Sequence, residues 1–244
     1  MALFKRVLFI AFAAVFPAYL AFYLTFPDCF PAFSSTPSTR PVLVIDAGHG
    51  GEDGGAISPS GVLESHLNLA IAKRADLLCG LFGAPSVMLR QQDISLHDPK
   101  ANTLREKKVS DLHNRVELVM QQGNGVLLSI HQNSFPSEKY SGAQVFFAPT
   151  KGSQSLAEAM QITLRTVVEP SNSRQAAAIS KSVYLLNHVS CPAILIECGF
   201  LTNPTEERKL QDSNYQTKLA AAILGCWLQY SNGQIYLDRD EGTA

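Results

Sequence analysis

Short apolar runs, each closed by a polar residue or a proline, divide the chain after residue 40 into alternating strand-like and helix-like stretches. Val42–Ile45, Ser86–Leu89, Val126–Ile130, Ala143–Ala148, Val183–Leu186 and Ala193–Ile196 are too short for most helices and rich in branched or aromatic residues. They predict six strands. Between them apolar positions recur at helical spacing, predicting helices from about Glu64 to Phe82, Glu106 to Gln121, Ser155 to Val168 and Asn214 to Tyr230. In the second of these, Val109, Leu112, Val116 and Val119 form a stripe expected to pack on the sheet. Alternation of this kind predicts an α/β fold with a mostly parallel, mixed central sheet of about six strands flanked by helices. Ligands in such sheets gather at the carboxyl ends of the strands.

A different pattern precedes residue 40. Lys5 and Arg6 lead into an uncharged run, Val7 to Phe26, long enough at about 1.5 Å per residue to cross a hydrocarbon layer of about 30 Å. Residues 1–26 are expected to be a membrane anchor or signal segment, with the N-terminus cytoplasmic and the rest outside. The bulky residues Tyr23 and Phe26 at its end favour an anchor over a cleaved signal. Residues 27–40, rich in Pro, Ser and Thr, read as a linker. Residues 41–230 would form the catalytic domain, and 231–244 a polar tail.

With 244 residues, 46% of them hydrophobic and 17% charged, the chain can bury one sizeable core and hardly needs two. Its net charge of -1 and the lack of a Lys/Arg block give no bulk electrostatic case for nucleic acid. Five cysteines include no closely spaced pair of the zinc-thiolate kind. Cys191 and Cys198 flank one expected strand, which separates them beyond disulfide reach.

The strand pattern puts chemistry in one place. His49, His131 and Glu197 each follow a strand-like run, and Glu64 opens the helix after the first. Two imidazoles and a carboxylate, His49, His131 and Glu64, suit a catalytic zinc with an open fourth position, and a second carboxylate, Glu197, suits its base. His66 points about 200° around the helix from Glu64, so the two cannot share an ion. Ser129, His131 and Asn133 alternate onto one strand face, which argues for a polar cluster. Glu197, after four apolar residues, would be costly to bury unless functional or paired, with Arg115 or Arg174 as the pairing alternative. The glycines around His49 fit neither a P-loop nor a dinucleotide fingerprint. His113 with Glu117, four apart on a helix, has no third ligand nearby, and His97 and His188 sit in loop-like settings.

These residues, together with Asp46, Gly48, Leu89, Arg90, Asp93, Arg105, Asp111, Arg115, Ser141, Gly142, Gln144, Gly199, Phe200 and Asn203, occur in the order and context of the zinc-dependent N-acetylmuramoyl-L-alanine amidases, which the chain resembles from about Val42 to Tyr230. The pattern is most similar to the small membrane-anchored spore-cortex members of that family. The resemblance implies one zinc per chain held by His49, Glu64 and His131, with Glu197 as the catalytic carboxylate. It further implies an extracytoplasmic enzyme that splits the bond between the lactyl carbonyl of N-acetylmuramic acid and L-alanine in peptidoglycan, with a functional link to a muramic acid deacetylase. Asn133, Gly50, Gly51 and Arg115 are candidate donors to the oxyanion or the substrate. The alternatives are a wall-binding module without turnover and a zinc peptidase of related architecture, which would more often carry two metals.

Overall fold

The computed structural model describes residues 40–235. The expected anchor over 1–26, the linker up to residue 39 and most of the polar tail lie outside the described residues. Among the described residues no helix is long and apolar enough to cross a membrane.

Six strands, β1 (Val42–Ala47), β2 (Ser86–Met88), β3 (Gly125–Asn133), β4 (Gln144–Phe147), β5 (Ala177–Ala178) and β6 (Ala193–Phe200), form one sheet in the order β2-β1-β3-β6-β4-β5. β2, β1, β3 and β6 run parallel, while β4 pairs antiparallel with β6 and carries β5. The expected mixed, mostly parallel sheet is what forms. Its helices are α1 (Glu64–Leu81), α2 (Leu104–Met120), α3 (Ser153–Thr163), α4 (Tyr184–His188), α5 (Pro204–Gln211) and α6 (Ser213–Ser231).

The two faces of the sheet are covered unequally. Leu43, Ile45, Leu128, Ile130, Ile194 and Ile196 pack with Ile71 of α1, Met160 of α3 and Ile223 and Trp227 of α6 in the larger core. The alternate residues Val44, Leu127 and Leu195 meet a smaller cluster with Val119 of α2 and Leu185 and Leu186 of α4. Because side chains alternate along a strand, Asp46, Ser129, His131 and Glu197 share this thinly covered face. The functional groups therefore stand where the sheet has least roof.

Three expectations are corrected. Val183–Leu186 is not a strand: the chain forms the short helix α4 there, and the sixth strand is the two-residue β5. A four-residue apolar run does not distinguish the two by periodicity. The helix α5 was not expected, because its only buried apolar residue is Leu210. Its signature is polar instead: Asn203 accepts from the N–H groups of Thr205 and Glu206, Pro204 follows the cap, and Arg208 and Lys209 close the last turn. Finally, the apolar stripe of α2 packs on the sheet only in part: Val116 and Val119 join the smaller cluster as expected, but the first residue of the stripe does not, and polar residues share the buried line. Val109 is 47% exposed, and Asp111, Arg115 and Val119 turn inward. The reason is ionic, since Arg115 is drawn down by Asp46 on β1.

Cys79, Cys191, Cys198 and Cys226 are all free thiols, and burial raises the Cys79 thiol to about 11.

Candidate active site

The site begins where β1 ends. The carbonyls of Ala47, Gly48 and His49 leave the ladder, and a buried carbonyl needs a donor. Two buried arginines provide them. Arg90 donates from Nε to Ala47 O at 2.8 Å and from Nη2 to Gly48 O at 3.0 Å, and Arg115 donates from Nη2 to His49 O at 2.8 Å. Arg115 also bonds Asp46, Asp111 and Ala47 O. Burial would lower the Asp46 carboxyl's preference for charge, but Arg115 and Ser129 outweigh it and hold its pKa below the ordinary value. So braced, the chain accepts a φ of 61° at His49, the one non-glycine residue with positive φ among those described.

His49, Glu64 and His131 converge, with one ligand atom from each lying within 4.8 Å of the others. His49 Nε2 is 3.3 Å from Glu64 Oε2, and His131 Nδ1 is 2.9 Å from Glu64 Oε1. The carboxylate is fixed from behind by the N–H groups of Ala56 at 2.9 Å and Gln132 at 3.1 Å, and by Asn68 Nδ2 at 3.3 Å. Asp53 orients His49 through Nδ1 at 3.0 Å. Burial alone would lower the His49 imidazole, but its hydrogen bonds to Asp53 and Glu64 raise it to about 9. Burial alone would raise Glu64, but the two imidazoles hold it far below the usual range. This is a pocket that favours positive charge.

Glu197 stands beside His131 in register on the adjacent parallel strand. Its Oε2 is buried and has no hydrogen-bond partner among the described residues. Burial pushes its carboxyl up to about 7, against the pull of the His131 and His49 imidazoles. The pairing alternative is not realised: Arg115 is spent on Asp46 and Asp111, and Arg174 on Ser141 O and Gln144. A cavity of about 270 Å³ opens over His49, His131 and Glu197, walled by Leu112, Tyr184 and Leu186. Two imidazole nitrogens and a carboxylate oxygen with an open side, beside an unbonded buried acid, match the donor set zinc prefers at catalytic sites.

The other expected residues separate. Arg115 is 2% exposed with its donors engaged by protein acceptors, so it positions the His49 loop and has none left for substrate. Gly50 N–H donates to Asp53 O and Gly51 N–H to Asp93, so neither is free for an oxyanion. Asn133 is half-buried at the end of β3, and its amide bonds no protein group among the described residues. His66 pairs with exposed Asp93, His97 with Ser95, and His113 and His188 flank Tyr184, and none of them belongs to the converged set. Asp53, Asn68 and Gln132 went unassigned in the sequence. Asp53 lies four residues from His49 and Asn68 one turn beyond Glu64, spacings that could have found both.

Gly48 shows how closely the site is packed. A Cβ there would collide with the edge of the His131 ring, meeting Cε1 and Nε2 first. Gly48→Ala is therefore expected to displace that imidazole, costing about 1–3 kcal/mol of stability as overpacking does. Uptake of a divalent metal should fall more than the thermal midpoint suggests; unchanged uptake would show that His131 can move freely.

A family model described as N-acetylmuramoyl-L-alanine amidase matches residues 43–226. The chain is 34% identical over 197 residues to the germination-specific N-acetylmuramoyl-L-alanine amidase of Bacillus subtilis (strain 168), covering 80% of this chain and 82% of that one. It is 27% identical to the amidase AmiA of Escherichia coli (strain K12), covering 75% and 73%. Among solved structures, the CwlD amidase from Clostridioides difficile, in complex with the GerS lipoprotein, superposes with a TM-score of 0.75 at 35% identity, covering 80% of this chain and all of that one.

Proposed function

Because the chain belongs to the N-acetylmuramoyl-L-alanine amidase family, enzymes acting on peptidoglycan, we propose that it is a one-zinc amidase with His49, Glu64 and His131 as ligands and Glu197 as the proton carrier. The observation that carries this reading is the buried, unbonded Oε2 of Glu197 beside the converged His-Glu-His set. Zinc, when bound, withdraws electron density from the scissile carbonyl and eases deprotonation of the attacking water.

The protein's own groups do the rest. Glu197 takes a proton from the attacking water while the new C–O bond forms at the lactyl carbonyl. It then gives that proton to the amine nitrogen of L-alanine as the C–N bond breaks. A carboxyl raised to about 7 suits both tasks near neutral pH. The half-buried Asn133 amide at the end of β3 is a side-chain donor available to the developing oxyanion or the glycan. Leu112, Tyr184 and Leu186 limit water on the open side.

Three finer features belong to the same proposal. Similarity to the germination-specific amidase supports a role in spore-cortex maturation, where removal of stem peptides prepares muramic acid for deacetylation and lactam closure by a partner deacetylase. A lipoprotein partner, of the kind bound to the CwlD amidase, fits the same setting. The cell-wall substrate and the apolar residues 7–26 together favour an extracytoplasmic domain at 41–230, held to the membrane by 1–26 and tethered through 27–40, with 231–244 as a tail.

The test is digestion of purified peptidoglycan by the zinc-loaded full chain in detergent, read by mass spectrometry. Free stem peptides beginning at L-alanine are expected. Fragments cut elsewhere, with the lactyl-alanine bond intact, would overturn the assignment.

A further inference from the structure

One strand away from Glu197, a second cavity of about 480 Å³ opens between the segments that follow β3 and β6 and the chain preceding β5. It is polar, and its charges are unevenly satisfied. Lys209 pairs with Glu169 at 2.7 Å. Buried Glu206 turns its oxygens onto the N–H groups of Gly142 and Phe200, both at 2.8 Å. Lys139 and Arg174 line the same cavity, and neither has a carboxylate at ion-pair distance among the described residues.

Arg174 is held in a defined pose. Nε donates to Ser141 O at 2.8 Å, Nη1 donates to Gln144 Oε1 at 2.9 Å, and the guanidinium lies over the Phe200 ring, 4.5 Å from its centroid. Nη2 has no protein acceptor among the described residues. Gln144, which holds Nη1, stands directly opposite Glu197 across the β4–β6 ladder, so the two side chains share a face. A guanidinium fixed on two of its three nitrogens, with the third unbonded, in a residue that lines a cavity, is preorganised for a carboxylate.

Resting on the amidase reading, we propose that Arg174, supported by Lys139, binds a free carboxylate of the stem peptide, the one nearest the scissile bond on the γ-linked D-glutamate that follows L-alanine. The subsite thereby favours peptides in which that group is an acid over those in which it is a carboxamide. The peptide side of the substrate runs across β6 toward β4, and the glycan leaves on the opposite side.

The experiment compares two probes that differ only in this group, N-acetylmuramyl-L-alanyl-D-glutamate and N-acetylmuramyl-L-alanyl-D-isoglutamine. They are titrated calorimetrically into the zinc-loaded full chain carrying Glu197→Gln, which slows turnover about 10³-fold. The acid is expected to bind about tenfold tighter than the amide, as a charge-assisted pair would confer. Adding Arg174→Gln should bring the ratio close to one, and Arg174→Lys should restore part of it. An equal affinity for both probes in the parent, or a preference that survives Arg174→Gln, overturns the proposal. So does the loss of both probes together in Arg174→Gln, which would give Arg174 a role in holding the loops alone. Release of stem peptides by the unaltered enzyme is measured separately. Hydrolysis without acid preference removes this subsite and leaves the amidase reading standing; acid preference without hydrolysis does the reverse.

Discussion

Glu197→Gln is expected to lower turnover by about 10³-fold, within the range that a positioned proton carrier supplies, while zinc stays at one per chain. The substitution keeps shape and burial and removes only the capacity to take a proton. Glu197 is not within the converged ligand set, and its Oε2 bonds nothing among the described residues, so little else is disturbed. The parent carboxyl is costly to bury, as its rise to about 7 shows, and the amide is neutral; the variant should be at least as stable as the parent. Turnover by stem-peptide release, metal content and thermal midpoint together check the claim. Full activity in the variant would remove Glu197 from the chemistry.

His131→Ala is expected to abolish both metal retention and activity. Even an outer partner of a ligand is worth about 10–100-fold in metal affinity, so removing one of the three proposed donors should cost more than that. The loss extends beyond the ion. His131 Nδ1 holds Glu64 Oε1 at 2.9 Å, and without it Glu64 is left with His49 alone among its imidazoles. Metal content after dialysis against a weak chelator is the measurement, with retention at full stoichiometry as the contrary result. Folding should survive, because Leu128 and Ile130 of the same strand keep their places in the larger core.

The convergence of His49, Glu64 and His131 was legible because strand ends were legible. Val42–Ile45, Val126–Ile130 and Ala193–Ile196 are apolar on both faces, as buried parallel strands are, and each hands its next residues to the carboxyl edge. What supports those residues was less visible. Asp111 and Arg115 sit on a helix whose obvious pattern is an apolar stripe, and only the position of Asp46 across the sheet shows why the polar line turns inward. Likewise Gly50 and Gly51 advertise donors that the folded loop spends on Asp53 and Asp93. The arrangement around Arg174 depends on residues from three separate segments, Ser141 with Gln144, Arg174 and Phe200, whose meeting no local pattern encodes.

The in-register pairing of His131 with Glu197 has a bearing on how such a domain can diversify. Adjacent strands lie about 4.8 Å apart by the geometry of their ladder, whatever the loops between them do. The loops that join the elements between residues 134 and 192 can therefore lengthen or shorten without altering the span between His131 and Glu197. New regulators and wall specificities can be grafted onto the rim while the reaction stays the same, its critical span inherited from the backbone itself.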